Sequence, residues 1–276
     1  MSDIKIAFFD IDGTLIDMGK QYPSENTQRA LMKLKKKNIL ICLATDRSPM
    51  ALPHLEGICV DAVLTYNGSY CFEQQQMIFS NPIPRNDVKT IIENASSISR
   101  PVMIAAKDKM VANGKDADLV EYTAFGGLEV VVSKDFEKLV ESENIYQIML
   151  GCRAEDYRHL MKNVQNAKIT AWWDRAVDII PLSGGKGLGV RKVLEYYHLD
   201  SSKAIAFGDG NNDMDMLRAV GVGIAMGNAS EELKQMADGV CGSAAEDALR
   251  WTVRVSVPGS MAATVQAYSQ PQPSLT

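Results

Sequence analysis

Short apolar runs alternate with amphipathic stretches along the first third of the chain. Residues 4–9, 39–44 and 62–65 are apolar at nearly every position, the pattern of parallel strands covered on both faces. Between the first two, Thr27, Ala30, Leu31 and Leu34 recur at helical spacing, and Ser24 stands where an N-cap belongs. Residues 48–56 read as a further helix, interrupted by Pro53. Asn67-Gly68 signals a turn, followed by an extended stretch to residue 79.

Asn81-Pro82-Ile83-Pro84 is a stiff, proline-rich boundary. Beyond it the pattern mixes both periods. Residues 87–97 and 155–164 read as helices, and 102–105, 128–132, 145–150, 169–173 and 176–180 as strands. After Gly185 the strand–helix alternation resumes. Helices are expected at 187–197, 211–219, 230–237 and 244–251, and strands at 204–207 and 221–225. The expected organisation is a doubly wound parallel α/β core from residues 1–82 and 183–254, with an α/β insert at 83–182. Residues 255–276 lack charge and are rich in Ser, Pro, Gln and Ala, as a flexible tail is.

Composition narrows the function classes. The chain has 276 residues, enough for two domains, with 46% hydrophobic and 23% charged residues. Its net charge of −5 gives no electrostatic reason to expect nucleic acid. The basic run Lys33, Lys35, Lys36, Lys37 falls at a predicted helix end, where cations complement the helix dipole. Five scattered cysteines without C-x-x-C spacing argue against a disulfide framework or a structural zinc site. No apolar run approaches the ~20 residues of a membrane span. The N-terminus, with acids in its first dozen residues, is unlike a signal peptide. A cytoplasmic protein, monomer or homodimer, is expected.

Asp10 and Asp12 follow the first strand in Asp10-Ile11-Asp12-Gly13-Thr14. Alone, such a stretch is an ordinary strand-to-loop junction. In an open α/β sheet, however, the carboxyl edge of the strands is where ligands bind. A carboxylate pair there suggests one group that attacks and one that moves protons. Thr45-Asp46-Arg47 follows the second strand, and Gly208-Asp209-Gly210-Asn211-Asn212-Asp213 follows the strand at 204–207. Lys186 opens a helix within Ser183-Gly184-Gly185-Lys186-Gly187. These segments can converge on one edge.

Taken in order, the four segments resemble the signatures of the haloacid dehalogenase superfamily. The chain is most similar there to the Cof-type sugar phosphatases with a large α/β cap. The resemblance extends to about Trp251 and includes the strand and glycine-rich turn at 221–229. It implies a Rossmann-like core, an inserted cap that sets substrate specificity, and hydrolysis of small phosphorylated metabolites such as sugar phosphates. It also implies roles. Asp10 attacks phosphorus and forms an aspartyl-phosphate, and Asp12 protonates the leaving oxygen and then activates water. Thr45, Lys186 and the backbone N–H groups of Asp12 and Gly13 bind the phosphoryl group. Asp10, the Asp12 carbonyl and Asp209 hold Mg²⁺, with Asn212 and Asp213 behind them.

Electrostatics agrees with a cation. At about 4 Å, two unit charges interact by roughly 4 kcal/mol at an effective dielectric near 20. A carboxylate nucleophile facing a dianionic phosphate, beside further acids, needs more positive charge than one lysine offers. Mg²⁺ suits an all-oxygen site.

In the insert, Trp172, Trp173, Arg175 and Asp178 are candidate substrate contacts, and Asn67 and Gly68 are candidates to face the cleft. For the tryptophans, packing within strands is the stronger expectation. Asp46 departs from the glycine usual at that point of the resemblance. It either points inward, weakening phosphate binding, or turns outward to pair with Arg47. Two alternatives stay open: a phosphotransferase or mutase on the same fold, and a non-catalytic metabolite-binding regulator. The absence of G-x-G-x-x-G after the first strand excludes a dinucleotide-binding site there.

Overall fold

The computed structural model describes residues 4–171 and 173–246. Trp172, the expected tail at 255–276 and positions 247–251 of the last predicted helix lie outside the described residues.

In chain order the elements begin with β1 (Ile6–Phe9), α1 (Glu25–Lys36), β2 (Leu40–Ala44), β3 (Ala62–Thr65), β4 (Tyr70–Glu73) and β5 (Gln76–Ser80). The middle of the chain forms α2 (Arg85–Ser97), β6 (Met103–Ala105), β7 (Met110–Ala112), α3 (Ala117–Phe125), α4 (Phe136–Ser142), β8 (Gln147–Gly151), α5 (Tyr157–Leu160), β9 (Ala167–Thr170) and β10 (Ala176–Pro181). The chain then builds α6 (Lys186–Tyr196), β11 (Ala204–Gly208), α7 (Met214–Arg218), β12 (Val222–Ala225), α8 (Glu231–Met236) and β13 (Gly239–Val240).

Two sheets result. The large one runs β13-β12-β11-β1-β2-β3-β4-β5. Strands β13 through β3 pair in parallel, whereas β3, β4 and β5 form an antiparallel meander. Alternation across β1 shows how it is covered. Ile6 and Phe8 pack with Val190, Val193, Met216 and Leu233 from α6, α7 and α8. Ala7 and Phe9 pack on the other face with Leu31 of α1. A strand buried on both faces has no polar side, which is why its sequence is continuously apolar. Ser24 caps α1 by accepting from Thr27 N–H at 3.1 Å.

The small sheet, β7-β6-β8-β10-β9, is antiparallel. One face, with Ile104, Ile148, Leu150, Val177 and Ile179, packs on α2 and α4. The other carries Met103, Ala105, Met149 and Ala176 and packs with Tyr66 and Tyr70 of the large sheet's side. Tyr66 joins the two. Its hydroxyl donates to the Ala106 carbonyl at 2.8 Å and its ring stacks on Tyr146.

Several local expectations fail for identifiable reasons. Residues 48–56 form only a 3₁₀ turn, Pro49–Ala51, because Pro53 lacks a donor and disfavours helical backbone at Leu52, which is extended. The expected strand at 128–132 makes a single bridge, Ala112 to Val132, with Val131 and Val132 exposed. Helix α3 was not expected; Asp116 caps it by accepting from Leu119 N–H at 2.8 Å. Helix α4 was not expected either. The predicted helix at 155–164 shrinks to a 3₁₀ turn plus α5, and Asn163 adopts a left-handed conformation. No described helix is long and apolar enough to cross a membrane.

Candidate active site

The carboxyl ends of β1, β2 and β11 bring distant acids together. One oxygen from each of Asp10, Asp209 and Asp213 lies within 4.8 Å of the others. Lys186, at the first turn of α6, is buried at 1% exposure. Its Nζ donates to Asp10 Oδ1 and to Asp213 Oδ1, both at 2.6 Å. Burial alone would lower this ammonium's pKa, but Asp10, Asp213 and Asp46 together outweigh it and hold it raised.

The acids are held in turn. Asp213 Oδ2 accepts the backbone N–H groups of Asp209 and Gly210 at 2.9 Å each. Both of its oxygens are therefore engaged, which suits the supporting role expected for it. Asp209 Oδ1 accepts from Thr14 Oγ1 at 2.9 Å, and Oδ2 from Asn228 Nδ2 at 3.0 Å. Asn228 Nδ2 also bonds the Gly13 carbonyl at 2.9 Å, tying the two acidic loops together. Burial drives the Asp10 carboxyl well above the ordinary range, against the pull of Lys186. Burial, with the charge of Asp213 second, pushes Asp209 up to about 6. Carboxylates crowded into a buried site with one lysine carry uncompensated negative charge. A hard divalent cation with oxygen ligands fits that donor set.

Gly13 is fixed by space. It has φ +83°, and a Cβ there would lie 2.1 Å from Asp209 Oδ2. Its N–H donates to Ile16 O at 2.7 Å, closing the turn after β1. The Gly13 N–H expected to bind phosphate is engaged in this turn, whereas the N–H of Asp12 takes no part in these turn bonds.

Thr45 is fully buried beside this cluster; its Oγ1 accepts from Arg47 N–H at 3.1 Å. Arg47 does not pair with Asp46 as the outward alternative required. Its guanidinium binds both oxygens of Asp12 instead. Asp46 is half-buried and accepts from Thr45 Oγ1 at 3.4 Å; burial raises its pKa, with Lys186 opposing and Asp12 and Asp213 adding to the rise.

Asn67 and Gly68, the candidates for the cleft, are both buried. Asn67 Oδ1 accepts from Asn212 Nδ2 at 3.1 Å. Gly68 approaches the peptide of Gly185 so closely that a Cβ would lie 2.6 Å from its carbonyl. Arg175 is occupied away from the acid cluster: it stacks on Trp173 and pairs with Glu121 and Asp118. Trp173 packs on Tyr122 and Phe125. Asp178 is buried at 2% exposure on β10. Three residues were missed in sequence as parts of this site: Thr14, Asn228 and, as the partner of Asp12, Arg47. The first two lay within motifs already noted, but nothing in spacing alone reveals a contact made across 195 or 215 positions.

Comparison with known proteins agrees with this geometry. YkrA of Bacillus subtilis, a protein with a provisional phosphatase name, is 33% identical over 253 residues, covering 91% of this chain and 97% of its own. Among solved structures, BT1666 of Bacteroides thetaiotaomicron, a phosphatase of the haloalkanoate superfamily, superposes with TM-score 0.82 at 27% identity; the match covers 90% of this chain and 92% of that one. BT4131, a sugar phosphatase of subclass IIB, gives TM-score 0.77 at 25% identity, covering 89% and 96%. The model of the haloacid dehalogenase-like hydrolases matches residues 7–252, a span holding every acid described above together with Lys186. This chain belongs to the haloacid dehalogenase-like hydrolases, a family in which the relatives it resembles carry phosphatase names.

Proposed function

We propose that the enzyme hydrolyses small phosphate monoesters, sugar phosphates among them, through an aspartyl-phosphate on Asp10 and with Mg²⁺. The observation that carries this reading is the Lys186 ammonium, held at 2.6 Å from both Asp10 and Asp213 in a buried pocket of acids. A nucleophilic carboxylate and a fixed cation stand side by side where a phosphoryl group would sit.

In the first step Asp10 Oδ attacks phosphorus while the bond to the leaving oxygen breaks. Asp12 gives that oxygen its proton. In the second step Asp12 takes a proton from water, whose oxygen attacks phosphorus and frees Asp10. Lys186 and Thr45 bind the phosphoryl oxygens and spread their charge. Asp10, Asp209 and the Asp12 carbonyl would hold Mg²⁺, which would supply the charge neutralisation that a carboxylate needs to approach an anionic phosphate. Asp213 keeps Asp209 and Lys186 in place, and Asn212, anchored on Asn67, would orient water on the metal.

We assign residues 83–182 as the cap that selects the substrate, above a catalytic core of 1–82 and 183–254. The unpaired state of all five cysteines fits a cytoplasmic location. The test is phosphate release from p-nitrophenyl phosphate with Mg²⁺. Asp10→Asn is expected to abolish it, and rapid acid quench of the wild type with ³²P-labelled ester should trap label on Asp10. Turnover retained in Asp10→Asn would refute the covalent route.

A further inference from the structure

Asp178 is a buried acid that the phosphoryl chemistry does not use. It lies on β10 opposite Met149 of β8 and Thr170 of β9. Ala176, two residues earlier and on the same face, packs with Met149, Tyr66 and Tyr70, whereas Val177 and Ile179 face the helices behind. Asp178 therefore points from the small sheet toward the large one. Gln147 of β8 shares that face, because Ile148 and Leu150 point away.

Tyr122 and Gln147 hydrogen-bond the Asp178 carboxyl, yet one oxygen of each of Asp178 and Gln147 is left over. Asp178 Oδ1 and Gln147 Oε1 are buried without a hydrogen-bond partner, in residues 2% and 4% exposed. Buried acceptors are ordinarily satisfied, since leaving one bare forfeits its bonds to water without replacement. The charged neighbour acting on Asp178 from the large sheet's side is Asp46. Asp46 in turn feels Lys186 and Asp12. Asp46 thus lies within electrostatic reach of both the Lys186 cluster and Asp178, and no basic side chain acts on Asp178.

We infer that Asp46, Asp178 and Gln147 form a receptor for a primary ammonium on the leaving portion of the substrate, so that amine-bearing phosphate monoesters are preferred. An ammonium offers three donors and a positive charge. It would satisfy the two bare oxygens and offset the repulsion that Asp46 exerts on the phosphoryl group. A hydroxyl in the same place offers one donor and no charge. The inference rests on the proposed phosphatase reading and names its substrate class.

Matched pairs of esters test it: glucosamine 6-phosphate against glucose 6-phosphate, and phosphoethanolamine against the phosphate monoester of ethylene glycol. The amine member of at least one pair is expected to have a kcat/KM at least tenfold higher. Asp46→Asn and Asp178→Asn should each reduce that ratio about tenfold, through KM more than kcat. Equal kcat/KM within both pairs, or a ratio unmoved by either substitution, would overturn the inference while leaving the phosphatase reading intact. If no ester is turned over, including p-nitrophenyl phosphate, the phosphatase reading fails separately. Calorimetric titration of the Asp10→Asn protein with the same pairs then decides recognition. Tighter binding of the amine by tenfold supports the receptor, and equal affinities overturn it.

Discussion

Arg47 grips both carboxylate oxygens of Asp12: Nε donates to Oδ2 and Nη2 to Oδ1, each at 2.7 Å. Its remaining nitrogen, Nη1, donates to the Ala51 carbonyl at 2.8 Å, so the guanidinium is anchored on the far side as well. A lysine cannot reproduce this planar fork. Arg47→Lys is expected to lower kcat/KM about 10- to 100-fold by misplacing Asp12. Asp12→Asn should lower kcat by about 10²- to 10⁴-fold. An alkyl phosphate is the right substrate, because its leaving oxygen requires the proton. If Arg47 acts through Asp12, Arg47→Lys should add little in the Asp12→Asn background, and full additivity would contradict that coupling.

Gly13 and Gly19 share φ +83° but not their surroundings. A Cβ at Gly13 would collide with the Asp209 carboxylate, whereas nothing lies within 4 Å of one at Gly19. Gly19→Ala should lose about 1 kcal/mol of stability from backbone strain alone and keep full activity. Gly13→Ala should displace Asp209 and reduce turnover at least about 100-fold. Urea melts and steady-state rates on the two proteins separate strain from collision.

Cation binding to the acid cluster should be visible without any substrate. A ligand at about 100 times its Kd stabilises the folded state by about 2.7 kcal/mol, which is a rise in Tm of roughly 5–10 °C for a chain of this size. Mg²⁺ is expected to produce such a rise and EDTA to reverse it. Asp209→Asn should abolish the shift; a shift of the same size in that variant would place the cation elsewhere.

Asp178 makes stability depend on pH. Burial, with the charge of Asp46 next, raises its carboxyl from 3.8 to about 8, while Tyr122 and Gln147 act to lower it. Between those values the folded chain keeps a proton that the unfolded chain has released. Stability therefore falls as pH rises through that window. Asp178→Asn has no proton to lose. It should flatten this part of the profile and, at pH 8, gain on the order of a few kcal/mol over the wild type. Urea unfolding at pH 5 and pH 8 measures both slopes, and an unchanged slope would remove Asp178 as the cause.

Patterns that depend on burial of whole faces were legible in the sequence. The continuous apolar runs of β1, β2, β3 and β11 announce strands covered on both sides, and a parallel sheet then aligns their carboxyl ends without further information. That logic was enough to bring Asp10, Asp209, Asp213 and Lys186 together. It failed where the local code is weak. Helix α3 is a nine-residue element started by Asp116, with no wide polar face to betray its period. Val131 and Val132 carry strand propensity but find only one bridging partner, so propensity misled. The orientation of Asp46 and the choice of Asp12 over Asp46 by Arg47 depend on three-dimensional approach, which spacing along a chain does not encode.

The turn Tyr66-Asn67-Gly68 holds three consecutive positive φ angles, 51°, 52° and 78°. Its first residue reaches the small sheet through Ala106, its second meets Asn212, and its third abuts the start of α6. The backbone N–H of Tyr66 bonds Arg47 O and that of Asn67 bonds Thr45 O. Three adjoining residues thus tie the small sheet to the strand end that carries Thr45 and Arg47 and to the helix start that carries Lys186, so the two sheets and these side chains share one short stretch of backbone.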